Sequence, residues 1–196
     1  MKFLAIDTSG GAVCVAAANG IKEAWRAVEG VTSVCLMDAI DGVLREVGLA
    51  AADVGFIACV TGPGSFTGIR IGIATAKGLC FALGKKALAL TSFDLLAYAE
   101  TERALCLVDA GHGNYYACPF ANGAAGQPCF LSERELDPYR EGGYRFLSGK
   151  PLAVESGVTD IRRGLLQAAR TRAAEAGGAQ ELRALYLRKS SAEEKR

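Results

Sequence analysis

Thr61-Gly62-Pro63-Gly64-Ser65-Phe66-Thr67-Gly68-Ile69-Arg70-Ile71-Gly72-Ile73-Ala74-Thr75-Ala76-Lys77-Gly78 is the stretch on which the reading of this chain turns. A Gly-Pro-Gly turn ends one apolar run, and a helical run starts at once behind it. From Val54 to Gly84 only Arg70 and Lys77 carry charge. Seven residues is close to two helical turns, so those two cations share one narrow wedge. Ile69, Ile73, Ala76 and Cys80 lie on one flank, and Ile71, Thr75, Gly78 and Ala82 on another. A helix apolar on nearly every side is normally buried on more than one. One face goes to a sheet of the same chain. The other needs a cover, either from this chain or from a second molecule. Ser65 and Thr67 are the candidate caps of a helix expected over about Gly68–Leu83, with Gly84 beyond it.

Outward from this stretch the pattern is βββαβα. Phe3 to Ile6 reads as an apolar strand, Asp7-Thr8-Ser9-Gly10-Gly11 as a turn and Ala12 to Ala18 as a second strand. Asn19-Gly20 signals a hairpin into a third strand, Ile21 to Val28. Thr32 is placed to cap a helix reaching Val47, with Gly48 ending it. Its apolar face is Leu36, Met37, Ile40, Val43, Leu44 and Val47, and its wet face Asp38, Asp41 and Arg45. Phe56 to Val60 lacks alternation, as expected of a strand covered on both sides. Ala87 to Leu90 is a further strand, and Ser92 a cap for a helix through about Glu100.

Then the pattern restarts. Leu105-Cys106-Leu107-Val108-Asp109 echoes Phe3-Leu4-Ala5-Ile6-Asp7, and Gly113 falls where Gly11 falls. Asn114 to Phe120 repeats the second strand. A short helix is expected after Ser132 and a clearer one over Thr159 to about Ala176, without a counterpart of the long apolar helix. The expected fold is α/β: a duplicated actin-like, ribonuclease H-like unit with an abbreviated second half. The expected division is an N-terminal subdomain over 1–101, a shorter C-terminal subdomain over 102–188 and a frayed tail over 189–196.

Composition excludes several classes. The chain has 196 residues, a net charge of +1 and 51% hydrophobic residues, so it lacks the basic field of a protein that grips nucleic acid alone. The start reaches Asp7 after too few apolar residues for a signal peptide, and no uninterrupted apolar run spans a bilayer. An odd count of seven cysteines without Cys-x-x-Cys points to reduced, mostly buried thiols and a cytoplasmic setting.

His112 is the only histidine. A two-histidine metal motif is therefore absent, and a Ser-His-Asp triad would have to use a residue set between two turn glycines. The Gly62–Ser65 turn lacks the Gly-Lys-Ser/Thr ending of a phosphate loop. A Gly-rich turn at a helix N-terminus can still hold an anion. Asp7, Thr8, Ser9, Gly64 and Ser65 are the candidate anion or nucleotide contacts, against the plainer reading of a tight turn with a capping serine. Asp109-Ala110-Gly111-His112-Gly113 is the candidate second phosphate loop. A small-molecule kinase or ATPase and a peptidase remain alternatives.

Ala5-Ile6-Asp7-Thr8-Ser9 together with Gly62 to Gly78 and Leu79 strongly resembles the bacterial TsaB (YeaZ) family. The likeness continues through Leu107-Val108-Asp109-Ala110 and ends at Tyr186-Leu187-Arg188. Members usually read Asp-Ala-Arg at the second opening, where this chain has Asp109-Ala110-Gly111, and many open the first helix with a Ser-x-x-His-Ser-like start, where it has Thr32-Ser33-Val34-Cys35. The resemblance implies a degenerate actin-like fold and a non-catalytic role beside TsaD (YgjD) in making threonylcarbamoyladenosine (t6A) in tRNA. TsaD would hold the metal and do the transfer, and TsaE, an ATPase, would dock across both. No cofactor is expected on this chain alone, with ATP or ADP and metal in TsaD and TsaE. The implied partners are TsaD in a heterodimer, TsaE in the larger complex, a second copy when the chain is alone, tRNA only through the complex, and no membrane. The old protease label of the family is the source of the peptidase alternative. Met37, Asp41, Arg70, Ile71, Ala74, Thr75, Lys77 and Gly78 are the candidate interface. Gly68, Gly72, Ala74, Gly78 and Ala82 are read as the small residues that let a partner helix approach.

Overall fold

The computed structural model describes residues 1–98 and 102–187. The tail over 189–196, the position Glu100 and the division at residue 101 lie outside the described residues. The first sheet is built from β1 (Lys2–Asp7), β2 (Val13–Asn19), β3 (Lys22–Val28), β4 (Phe56–Val60) and β5 (Lys86–Leu90), in the order β3-β2-β1-β4-β5. β1 is antiparallel to β2 and parallel to β4, with Ala5 opposite Ala16 on one side and Ala58 on the other. A central strand is flanked on both edges by other strands and on both faces by helices, which is why β1, β2 and β4 are apolar at nearly every position.

Two helices, α1 (Thr32–Glu46) and α2 (Phe66–Leu83), lie side by side on one face of this sheet. Leu36, Ile40, Val43 and Leu44 of α1 and Ile69, Ile73, Ala76 and Cys80 of α2 fill one core with Leu4, Ile6 and Ile57. α1 takes Val31 rather than Thr32 as its N-cap, and no side chain caps it. α2 begins two residues before the sequence expectation. Ser65 is its cap, its hydroxyl accepting from the Gly68 amide at 3.2 Å, and Gly84 closes it in the left-handed region. The length and composition of α2 would also suit a membrane span. Instead one flank is packed against β4 and β1.

The second half reproduces the first. β6 (Ala104–Gly111) and β7 (Asn114–Ala121) form an antiparallel pair. β8 (Ala124–Ala125) and β9 (Cys129–Ser132) both pair with β7, while β10 (Arg145–Ser148) and β11 (Gly157–Val158) add in parallel on the other side of β6. The order β11-β10-β6-β7-β8 mirrors that of the first sheet, strand for strand. The duplicated actin-like arrangement of the sequence reading therefore holds, with strands β8 to β11 added. Those four are two to four residues long, too short for periodicity to register. The helix between β9 and β10 shrinks to a 3-10 turn and α4 (Asp137–Glu141), and β10 runs to β11 without any helix.

The last helices of the two halves exchange places. α3 (Ser92–Leu96) follows β5, yet Phe93 and Leu96 pack with Ala104, Cys106 and Leu147 of the second sheet. α5 (Ile161–Thr171) follows β11, yet Leu165, Leu166 and Ala169 pack under Phe3, Ala5 and Ala16 of the first. The two helices touch where they cross. A Cβ at Gly164 would collide with the Leu95 carbonyl oxygen, so glycine sets the approach. Arg172 ties the crossing, with its guanidinium 2.6 Å from both Asp94 and Glu175.

Two helix ends differ from the sequence expectation. α3 is capped by Thr91, not Ser92, because Thr91 and Asp94 form a reciprocal capping box while the Ser92 hydroxyl donates to the Pro63 carbonyl at 2.7 Å. α3 stops at Leu96, short of the expected end near Glu100. α5 is shorter than the expected Thr159–Ala176, starting behind the Asp160 cap and passing into a 3-10 turn at Ala173–Glu175.

Candidate partner interface

The outward side of α1 and α2 is not covered by the described residues. On α1, Val34 is 74% exposed and Met37 46%. On α2, Phe81 is 91% exposed, and Ala74, Gly78 and Ala82 stand exposed beside it. Positions 74, 78, 81 and 82 fall on one stripe of the helix. A small cavity of ≈ 90 Å³ opens between the two helices, walled by Met37, Ile40, Asp41, Leu44, Leu79 and Leu83. Of the residues read from the sequence as interface, Met37, Asp41, Arg70, Ala74 and Gly78 are exposed, and Ile71, Thr75 and Lys77 are half-buried at the margin.

Two of the five small residues read as the approach groove face the other way. A Cβ at Gly68 would strike the Thr8 carbonyl oxygen, and one at Gly72 the Thr8 hydroxyl. Both glycines are buried and serve the contact between α2 and the end of β1. Gly78 has open space around its missing side chain. Of the five, Ala74, Gly78 and Ala82 are the exposed ones.

The candidate anion contacts do come together, at the join between β1 and the Gly62–Ser65 turn. Asp7 Oδ1 accepts from the Ser9 amide at 2.8 Å and the Ser9 hydroxyl at 2.6 Å. Ser9 Oγ lies 3.1 Å from Ser92 Oγ, and the Ser9 carbonyl accepts from the Ser65 amide at 2.8 Å. The Thr8 hydroxyl donates to the Gly68 carbonyl at 2.7 Å, and Gly64 lies so close to Ser9 that no side chain fits. The polar groups of this turn are spent largely on one another. Asp7 is only 3% exposed, and burial pushes its carboxyl above the ordinary range despite both bonds from Ser9. At the second opening Asp109 is exposed enough to pair with Lys150 at 3.2 Å, and the Gly111 amide, with that lysine, holds its carboxyl low. His112 sits exposed in the next turn. Among the described residues no group of three His, Cys, Asp or Glu side chains is placed to hold a metal ion, and all seven cysteines are free of disulfides.

A family model described as TsaD: tRNA N6-adenosine threonylcarbamoyltransferase matches residues 32–132, about half of the chain. YeaZ from Pseudomonas aeruginosa superposes with a TM-score of 0.80 at 26% identity, covering 95% of this chain and 99% of that one. The tRNA threonylcarbamoyladenosine biosynthesis protein TsaB of Bacillus subtilis is 35% identical over 103 residues, 50% of this chain and 44% of that protein. The chain belongs to the TsaB (YeaZ) family. The Escherichia coli TsaB protein is 31% identical over 125 residues, 59% of this chain and 53% of that one. The chain thus spans about half the length of the curated TsaB relatives it matches.

Three aromatic residues of this face escaped the sequence reading. Phe81 was legible, since it falls one helical step beyond Ala74 and Gly78. Phe66 and Tyr186 were not. Their rings meet at 5.3 Å across more than half the chain, and nothing local announces it.

Proposed function

We propose that this TsaB-family chain is the non-catalytic subunit of a complex that makes t6A in tRNA, acting in the cytoplasm. It docks on the TsaD transferase through the outward face of α1 and α2, and the pair offers TsaE its site. The observation that supports this most is the set of exposed apolar or small residues Val34, Met37, Ala74, Gly78 and Phe81 on two adjacent helices. Large exposed apolar patches mark interaction sites. Two adjacent helices, one with small residues on its open side, suit another helix pair better than a small molecule. With a single histidine the chain cannot supply a paired-histidine metal site, so metal and transfer belong to TsaD. ATP or ADP belongs likewise to TsaD and TsaE, and tRNA meets this chain only through the complex.

The test is co-purification of the full chain with the TsaD-family protein of the same cell, followed by t6A measurement in tRNA after depletion of this chain. A stable pair and a loss of t6A support the reading. A full chain that never associates with that protein, or depletion that leaves t6A unchanged, overturns it.

A further inference from the structure

Arg70 stands at the N-terminal end of the open face of α2, and it is held more firmly than an exposed cation usually is. Its guanidinium lies 3.7 Å from the centre of the Phe66 ring, one helical turn earlier. Its Nε donates to the Tyr186 hydroxyl at 3.0 Å, and the Tyr186 ring packs on Phe66. Tyr186 is fixed in turn by the chain before it. The Leu185 amide donates to the Thr61 carbonyl at 2.8 Å, and Leu182 is buried in the core beneath α2. A guanidinium has five N–H donors in a planar fork. Here the Nε donor is occupied and one face is stacked, while among the described residues no acceptor meets the two terminal Nη groups. Phe66 and Tyr186 are both exposed, and Arg70 shares one narrow arc of the helix with the exposed Ala74 and Phe81.

We propose that Arg70 is a specificity residue of the docking face, its two Nη groups receiving a carboxylate of the partner protein, and that Tyr186 is the positioning residue that aims it. This rests on the partnership proposed above and adds the chemistry of one contact. An isolated exposed cation contributes little, because ordering a long side chain cancels the gain. An arginine already stacked and hydrogen-bonded has lost that freedom before binding, so the two-pronged bond to a carboxylate is made at small entropic cost. A protein carboxylate fits better than a nucleic-acid phosphate. The surroundings are apolar, Asp38 and Asp41 stand exposed on the neighbouring helix, and the chain is nearly neutral overall. Lys77, in the same wedge, has no aromatic clamp among the described residues and is a looser charge.

The experiment measures the dissociation constant of the full chain and the TsaD-family protein by titration calorimetry at several salt concentrations. It compares the parent chain, Arg70→Met, Arg70→Lys, Tyr186→Phe and the double variant Arg70→Met with Tyr186→Phe. Arg70→Met and Arg70→Lys should each weaken binding about tenfold to a hundredfold, since lysine restores charge but not the fork. Tyr186→Phe should weaken it about threefold to tenfold, with an unchanged melting temperature. The double variant should bind no worse than Arg70→Met alone, because the tyrosine acts through the arginine. The salt dependence should flatten in Arg70→Met, which removes the charge, and persist in Arg70→Lys, which keeps it. A parent chain that fails to bind overturns the partnership, and the contact with it. A parent chain that binds, with Arg70→Lys its equal or with the two single effects simply adding, overturns this inference alone. So does an Arg70→Met variant that keeps its partner affinity while the complex loses affinity for tRNA.

Discussion

The hydroxyl of Thr8 donates to the carbonyl of Gly68 at 2.7 Å, across sixty positions of sequence, and the backbone of α2 approaches Thr8 so closely that Gly68 and Gly72 have no room for a side chain. This contact joins the end of β1 to the first turns of α2. It decides which face of the helix goes to the sheet and therefore which face is left open.

Two glycines ten residues apart on one helix should consequently respond in opposite ways to the same substitution. Gly68→Ala forces a methyl group onto the Thr8 carbonyl oxygen and should cost about 2–4 kcal/mol of folding stability. Gly78→Ala meets empty space in a helix interior and should gain up to about 1 kcal/mol from helix propensity. Urea unfolding of both variants checks the pair. Equal effects would mean that α2 is rotated relative to the sheet.

Asp7 gives a pH signature. Burial raises its carboxyl pKa in the folded chain, while the unfolded chain keeps an ordinary value of about 4. Between those two values the folded state holds a proton that the unfolded state has lost. Stability therefore falls as pH rises through that window, and the loss persists at neutral pH. Asp7→Asn removes the titration and can keep both bonds from Ser9 through its amide oxygen. The variant should melt higher than the parent at pH 7, with the advantage shrinking as pH is lowered toward 4. Thermal unfolding of both chains over that range reads the difference, in which the titration of all other groups cancels. A parent chain equal to Asp7→Asn at every pH would show that Asp7 is not buried as described.

What the sequence disclosed follows the range of the interactions. The strands from Lys2 to Leu90 came from apolar runs bounded by turn residues, and both long helices and the buried flank of α2 from local periodicity. β10 and β11 were invisible, since two to four residues carry no period. The exchange of α3 and α5 between sheets was invisible too. Each helix has an apolar face, but which sheet receives it is settled by chain path. In the candidate interface, Met37 and Gly78 are exposed. Assigning Gly68 and Gly72 to the groove failed because a small residue permits close approach on either side, and only the position of Thr8 distinguishes them.

The segment after α5 is part of the first core. The Gly177 amide and carbonyl both bond to Ala87 on the edge of β5, and Leu182 is fully buried against the cluster beneath α1 and α2. Leu182→Ala should cost about 2–5 kcal/mol, as for other core leucines. It should also loosen Tyr186 and so expose α2 to hydrogen exchange over Phe66–Arg70. Chemical unfolding with amide exchange checks both. A change of less than about 0.5 kcal/mol would mean that this segment merely rests on the surface.

The open face of α1 and α2 makes the last prediction, which separates its centre from its rim. Central, fully desolvated contacts dominate binding, whereas exposed charges contribute about 0–1 kcal/mol. Gly78→Leu and Ala74→Trp place bulk in the middle of the groove where the chain itself has nothing to displace, so both variants should fold with the parent's circular dichroism spectrum. Both should lose the TsaD-family partner in a pull-down and fail to restore t6A to depleted cells. Lys77→Ala, at the margin, should bind only modestly less well. Without the partner the same patch should find cover in a second copy, a two-fold pairing being the simplest closed solution. Sedimentation of the parent chain at high concentration should then show weak dimers, and Phe81→Glu should shift them to monomer by placing a charge in the centre of the contact. A Gly78→Leu chain that folds and binds the partner normally would move the interface to another face of the molecule.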